Sequence, residues 1–187
     1  LTGILLALVL ATNSAHANDT AIGGFAADLG PERSTTVRMA SEDITLEYTG
    51  REPDWRVHAK YVFENTTDEP VTVHMGFPEH RCDPEGEDAC TASGEFRSMR
   101  TTVDGNVVQN RTVRVGRNSP WFTALGDIFV FDVPFGPRQR VVVEHTYVVA
   151  GGNGVDTLAA LTYLTTTGRN WAGPIGRARF IIRLPEA

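Results

Sequence analysis

Residues 54–80, DWRVHAKYVFENTTDEPVTVHMGFPEH, carry two apolar alternations separated by a short polar stretch. In the first, Trp55, Val57, Ala59, Tyr61 and Phe63 fall on one side and Arg56, His58, Lys60 and Glu64 on the other. In the second, Val71, Val73, Met75 and Phe77 alternate with Thr72, His74 and Gly76. A period of two sets every second side chain on one face of a strand, so each run predicts a strand with a dry and a wet face. The pair reads as a β-hairpin whose dry face needs a cover. His58 and His74 are then cross-strand neighbours on its wet side.

The same alternation recurs on both sides of this stretch. Upstream, Val37 and Met39, then Ile44, Leu46 and Tyr48, predict two short strands before the turn at Thr49 and Gly50. Downstream, strands are expected over 95–103 and 106–115, joined by Asp104 and Gly105, a dipeptide suited to the positive φ values of a type I′ turn. DIFVFDVPF gives another strand, which Gly136 and Pro137 end. In RQRVVVEHTYVV the face of Val141, Val143, His145, Tyr147 and Val149 is matched by a second, nearly as apolar set, which predicts a central strand covered on both sides, with His145 a hydrogen-bonded core residue. Strand is also favoured for 156–168 by its threonines and Tyr163, and the last strand should turn Ala178, Phe180, Ile182 and Leu184 inward and Arg177, Arg179 and Arg183 outward. No segment has a long 3.6-residue period. The expected fold is all-β: an antiparallel β-sandwich of about nine to ten strands, immunoglobulin-like in general architecture.

The N-terminus has a different character. An apolar run from Ile4 to Ala11 is followed by Ala15, His16 and Ala17, the h-region and cleavage site of a secretory signal, and the run is too short for a membrane anchor. This divides the chain into a cleaved signal peptide (1–17), a flexible Gly- and Ala-rich arm (18–33) and a single sandwich domain (34–187). The mature product is expected to be periplasmic or extracellular, with no membrane span. Neither end reads as natural, because no initiator Met or basic segment precedes the leader and the last strand stops close to Ala187. The net charge of −6 argues against nucleic acid as a partner. Of the 17 basic residues only Lys60 is a lysine, a bias that a GC-rich bacterial genome explains.

The pieces MASEDITLEY, YVFENTTDEPVTVHMGFPE, FGPRQRVVVEHTYVV and LTTTGRNWAGPIGRARFIIRLP, in this order behind an exported leader, resemble the exported bacterial family called domain of unknown function 4424. Phe63-Glu64-Asn65, Phe77-Pro78 and the segment from Trp171 to Ile175 carry the likeness. A more distant similarity is to the vault and inter-alpha-trypsin domain, although the usual FPLP is here Phe77-Pro78-Glu79-His80. Both resemblances imply an exported β-sandwich, and neither brings catalytic residues.

Candidate chemistry gathers in EHRCDPEGEDAC, residues 79–90. Cys82 and Cys90 suit a disulfide closing a small loop in an oxidising compartment, worth roughly 2–3 kcal/mol. Between them stand Asp83, Glu85, Glu87 and Asp88, an acidic surface for a basic partner. Zinc on His74, His80, Cys82 and Cys90, or a hard cation on the four carboxylates, is the metal alternative, for which the weak set is His74, His80, Asp83 and Asp88. The spacing fits neither a standard zinc site nor a calcium loop. Trp121 and Trp171 lie in turn-rich segments where exposed indoles could stack on a ligand, while Trp55 heads an inward alternation. Hydrolase and nucleotide motifs are missing from the sequence, and no cofactor is implied. The sequence therefore favours a non-catalytic binding or scaffold module of the bacterial envelope, recognising a protein or envelope component through end loops at Asp83, Glu85, Glu87, Asp88, Trp121 and Trp171. The alternatives are a metal-dependent or carbohydrate-active hydrolase at the Cys82 to Cys90 loop, and an accessory domain of a longer envelope protein.

Overall fold

The computed structural model describes residues 20–23, 30–32, 34–50, 54–80, 96–114, 125–150, 152–154, 157–160 and 170–185. These form thirteen strands: β1 (Thr20–Gly23), β2 (Gly30–Glu32), β3 (Val37–Tyr48), β4 (Asp54–Asn65), β5 (Val71–His80), β6 (Phe96–Val103), β7 (Asn106–Val108), β8 (Arg111–Arg114), β9 (Leu125–Phe135), β10 (Arg140–Ala150), β11 (Gly152–Gly154), β12 (Thr157–Ala160) and β13 (Ala178–Arg183). A smaller sheet runs β2-β1-β5-β9-β8 and a larger one β13-β3-β4-β10-β6-β7, with β11 and β12 as a separate pair. All ladders are antiparallel except β13 on β3. The all-β sandwich expected from the alternation is the fold.

The two arms of residues 54–80 are strands, but they do not pair. β4 lies between β3 and β10 in the larger sheet, and β5 lies between β1 and β9 in the smaller one. The connection at 66–70 is thus an arch from one sheet to the other, and the two dry faces cover each other. Trp55, Val57, Ala59, Tyr61 and Phe63 from β4 share one core with Val73, Met75 and Phe77 from β5. A second arch at 136–139 carries β9 to β10, and at 109–110 the chain crosses once more, from β7 to β8. Each large apolar side chain so buried contributes about 1.5–3 kcal/mol. The wet faces therefore look outward from opposite sheets, and His58 and His74 are not neighbours.

Other expectations change in instructive ways. Residues 37–48 form one strand rather than two, with a bulge between Met39 and Ser41 that shifts the inward phase from odd to even positions. Asp104 and Gly105 do close the β6–β7 turn, with φ of 48° and 79°, but only three residue pairs follow before the chain leaves the sheet. β10 is central within its sheet yet buried on one face only: Val141, Val143, His145, Tyr147 and Val149 are inside, Val142, Glu144 and Val148 are half-buried and Thr146 is exposed. His145 is a core residue as expected, with Nδ1 2.9 Å from Thr101 Oγ1. Residues 20–23 and 30–32, within the segment read as an arm, add two strands to the smaller sheet.

Candidate functional site

The best candidate lies where the chain closes the larger sheet, at residues 170–185. Its root is a tightly bonded segment against the start of β3. Ser34 N–H donates to Asn170 O (2.7 Å), Ala172 N–H to Val37 O (2.9 Å), Gly176 N–H to Met39 O (3.2 Å) and Glu42 N–H to Arg177 O (2.9 Å). These bonds draw Trp171 inward, to a ring distance of 4.5 Å from Phe63. At Gly176 a Cβ would stand 2.4 Å from Ala40 O, so only glycine fits beside the bulge. Trp171 is 1 % exposed, which corrects its reading as a displayed stacking residue: the segment's backbone bonds turn its indole into the core.

From this root β13 runs parallel to β3 along the rim of the sheet, with Phe180 beside Ile44 and Ile182 beside Leu46. The inward phase of Phe180 and Ile182 is the expected one, but the strand is not covered. Phe180 is 43 % exposed, Ile182 37 % and Leu184 43 %. On the outer side Arg177 Nη2 and Arg179 Nε both donate to Asp43, at 2.8 and 2.7 Å. Arg183 is exposed and has no ion pair among the described residues. A shallow groove at the strand's end is lined by Glu47, Tyr48, Thr49, Arg56, Arg183, Leu184 and Pro185. Among the described residues no strand pairs with the outer edge of β13. The rim thus carries exposed apolar side chains at Phe180, Ile182 and Leu184 and exposed arginines at 177, 179 and 183.

Cys82, Cys90, Asp83, Glu85, Glu87, Asp88 and Trp121 lie outside the described residues. His80 ends β5 in register with Leu125. His74 stands on the outer face of the smaller sheet with Nδ1 2.6 Å from Asp132 Oδ1, a partner the sequence reading did not name. His58 Nε2 is 3.4 Å from Glu144 Oε1 on the other sheet, where Lys60 Nζ is 3.8 Å away. Among the described residues no three His, Cys, Asp or Glu side chains are close enough together to hold a metal ion, and no helix is long and apolar enough to cross a membrane.

Two further features escaped the sequence reading. Glu42 is buried, 1 % exposed, because the bulge rotates it inward, and burial raises its carboxyl to about 7. The shift of apolar phase between Met39 and Ile44 was the available signal. Asn65, also fully buried, ties the two arches together. Its Nδ2 donates to Glu69 O (2.7 Å) and Gly136 O (2.9 Å), and its Oδ1 accepts from Thr67 N–H (3.0 Å) and Thr67 Oγ1 (2.8 Å). Beside it Arg138 grips Asp68 with two hydrogen bonds, of 2.8 and 3.0 Å, which hold that carboxyl below its ordinary range.

With this geometry in view, comparison with known proteins gives a consistent picture. The sequence profile of the family described as domain of unknown function (DUF4424) matches residues 17–118. No curated protein matches the chain. Among solved structures, one of a "putative nutrient binding protein" from Legionella pneumophila subsp. pneumophila str. Philadelphia 1 is similar in fold, with a TM-score of 0.61 at 18 % identity. The match covers 86 % of this chain and 52 % of that one, so this chain spans about half the length of the Legionella protein.

Proposed function

The chain belongs to the DUF4424 family, and from that premise we propose that it is an exported, non-catalytic binding or scaffold module of the bacterial envelope that meets its partner at the exposed apolar rim formed by β13. The observation that carries this reading is the row of Phe180, Ile182 and Leu184, each more than a third exposed on a rim strand. A row of large apolar side chains exposed together on a sandwich marks an interaction surface. Export rests on the leader of residues 1–17. The acidic loop between Cys82 and Cys90 and Trp121 are held as additional contacts. The description of the Legionella protein names binding as well.

A second reading is favoured by the lengths. Since the chain spans about half of its structural neighbour, the partner at β13 is in this reading another domain of the same polypeptide. One experiment addresses both. A photo-crosslinking residue is placed at Ile182, or at His58 on the outer face as a control, in cells exporting the natural full-length protein. The expected result is an envelope-fraction adduct from position 182 and none from position 58. An intramolecular crosslink from 182 selects the accessory-domain reading. Retention of the protein in the cytoplasm, or adducts of equal yield from both positions, overturns the proposal.

A further inference from the structure

Charge is unevenly placed on this chain, and from its placement we infer a second binding surface: the outer face of the larger sheet takes a linear acidic polysaccharide, a chain of sugars bearing carboxylates. The inference shares with the reading above only the protein's place in the envelope. The whole chain carries −6, yet among the described residues of this face nine cations stand against five carboxylates. Asp43 is shared by Arg177 and Arg179, and Glu64 by Arg38 at 2.9 Å and Arg140 at 3.1 Å. Glu47 lies in register with Arg183 and accepts from Arg56 at 3.5 Å. Arg97 pairs with Asp54, and Lys60 Nζ stands 3.8 Å from Glu144. Arg100, in register with Thr146, is exposed and has no ion pair among the described residues. At the border Asp104 accepts the Val142 N–H (2.8 Å), and counting it leaves the sign unchanged.

The two signs also differ in depth. The five carboxylate side chains are 18–40 % exposed and the seven cations paired with them 41–64 %. The carboxylates thus form a lower layer that orients the cations, and the cations form the layer a partner meets. Eight of the nine are arginines, whose planar forks bind carboxylates through two bonds at once. They recur on all five strands from β13 to β6. Neighbouring strands twist by about 20–25°, so the band turns through roughly 80–100°. A planar bilayer touches only part of such a band, whereas a flexible chain follows it. Across the centre of the face Thr45, His58 and Thr146 lie in register, and their hydroxyl and imidazole groups suit sugar hydroxyls. Among the described residues no Phe, Tyr or Trp points outward here, so the bases of a nucleic acid find no ring to stack on. Between the rims the outward apolar side chains, Val62, Val142 and Val148, are half-buried, which leaves no apolar centre for a protein interface.

The test uses the mature chain and fluorescein-labelled oligogalacturonate, followed by fluorescence anisotropy at low salt. Saturable binding is expected, weakening as salt is added and missing for the methyl ester of the same oligomer, which lacks the charges. Arg100→Glu should weaken it about fivefold. Arg100→Lys, which keeps the charge, should hold it within about twofold, and so should Arg111→Glu, the same reversal placed on β8 of the smaller sheet. Equal losses from Arg100→Glu and Arg111→Glu overturn the inference, because net charge alone then suffices, and loss in both Arg100 variants overturns it by tracing the effect to folding. Tighter binding of polyglutamate, of an oligothymidylate or of phosphatidylglycerol vesicles at matched charge overturns it in favour of that partner. The absence of oligogalacturonate binding, or equal binding of its ester, overturns it outright. A polydisperse sugar chain yields no discrete crosslinked band, so the outcomes at positions 58 and 182 are independent of this face. If the oligomer fails while position 182 crosslinks, only this inference falls; if position 182 is silent while the oligomer binds, only the rim reading falls.

Discussion

The corner at Asn65 and the rim at β13 are both places where the sandwich must stop, and they stop in opposite ways. At the corner every hydrogen-bonding atom of the Asn65 amide is used: two carbonyls and one threonine close both arches around it. Backbone bonds repeat the tie, with Asn65 N–H donating to Gln139 O at 3.0 Å and Arg138 N–H to Thr67 O at 3.0 Å. At the rim the root is equally well bonded, but beyond Gly176 the strand carries exposed apolar side chains. Full satisfaction leaves a surface nothing to offer a partner, whereas exposed apolar groups gain by being covered. The contrast puts stability in the arches and leaves the rim to the recognition proposed above.

Substitutions should separate the two regions by the size and kind of their effect. Trp171→Ala, which empties the root of the rim, is expected to cost about 3–5 kcal/mol in urea unfolding. A cost below about 1 kcal/mol would show that the indole is not a core residue. Glu42 predicts a pH dependence. Its folded pKa is raised from 4.5 to about 7, so the folded state holds the proton more tightly than the unfolded chain. Its contribution is full below pH 4.5 and declines as pH rises to about 7, by about 3 kcal/mol. Glu42→Gln should flatten that slope, and urea midpoints for both proteins across this range check the sign.

Asn65→Ala leaves the part-buried carbonyls of Glu69 and Gly136 without their donor. A loss of roughly 2–3 kcal/mol is expected, measured in the same way. Ile182→Thr should be the mildest, within about 0.5 kcal/mol of the unchanged protein, since the side chain is already partly in water. That variant should nonetheless abolish the crosslink assigned to the rim. A large stability loss from Ile182→Thr would mean that the rim belongs to the core, and the contrast would collapse.

How far these regions could be read in advance follows from what alternation encodes. A period of two tells which side of a strand is dry, and for β4, β5 and β10 the inward sets were right in nearly every position. It does not tell which strand lies alongside. The five residues from Thr66 to Pro70 suit a hairpin loop or an arch, and the arch is selected by where Asn65 finds its partners, 71 residues away at Gly136. The turn at Asp104 was legible because its chemistry is local. Phe180 and Ile182 were assigned the right side but not their exposure, because coverage depends on how far the opposing sheet extends. The candidate loop of Asp83, Glu85, Glu87 and Asp88 lies outside the described residues, whereas the rim emerged only once the order of strands was known.

The parallel pairing of β13 with β3 has a temporal side. Arg179 and Asp43, whose ion pair fastens these strands, are 136 residues apart. The edge of β3 that β13 occupies therefore stays bare while the chain lengthens from the N-terminus, through the appearance of the other described strands. Such distant partners close slowly, and a bare edge on a growing chain is prone to join a neighbour's. Arg177 and Arg179, arriving late at a waiting carboxylate, serve as the latch of that step, so their loss should appear first in the yield of refolding at high protein concentration.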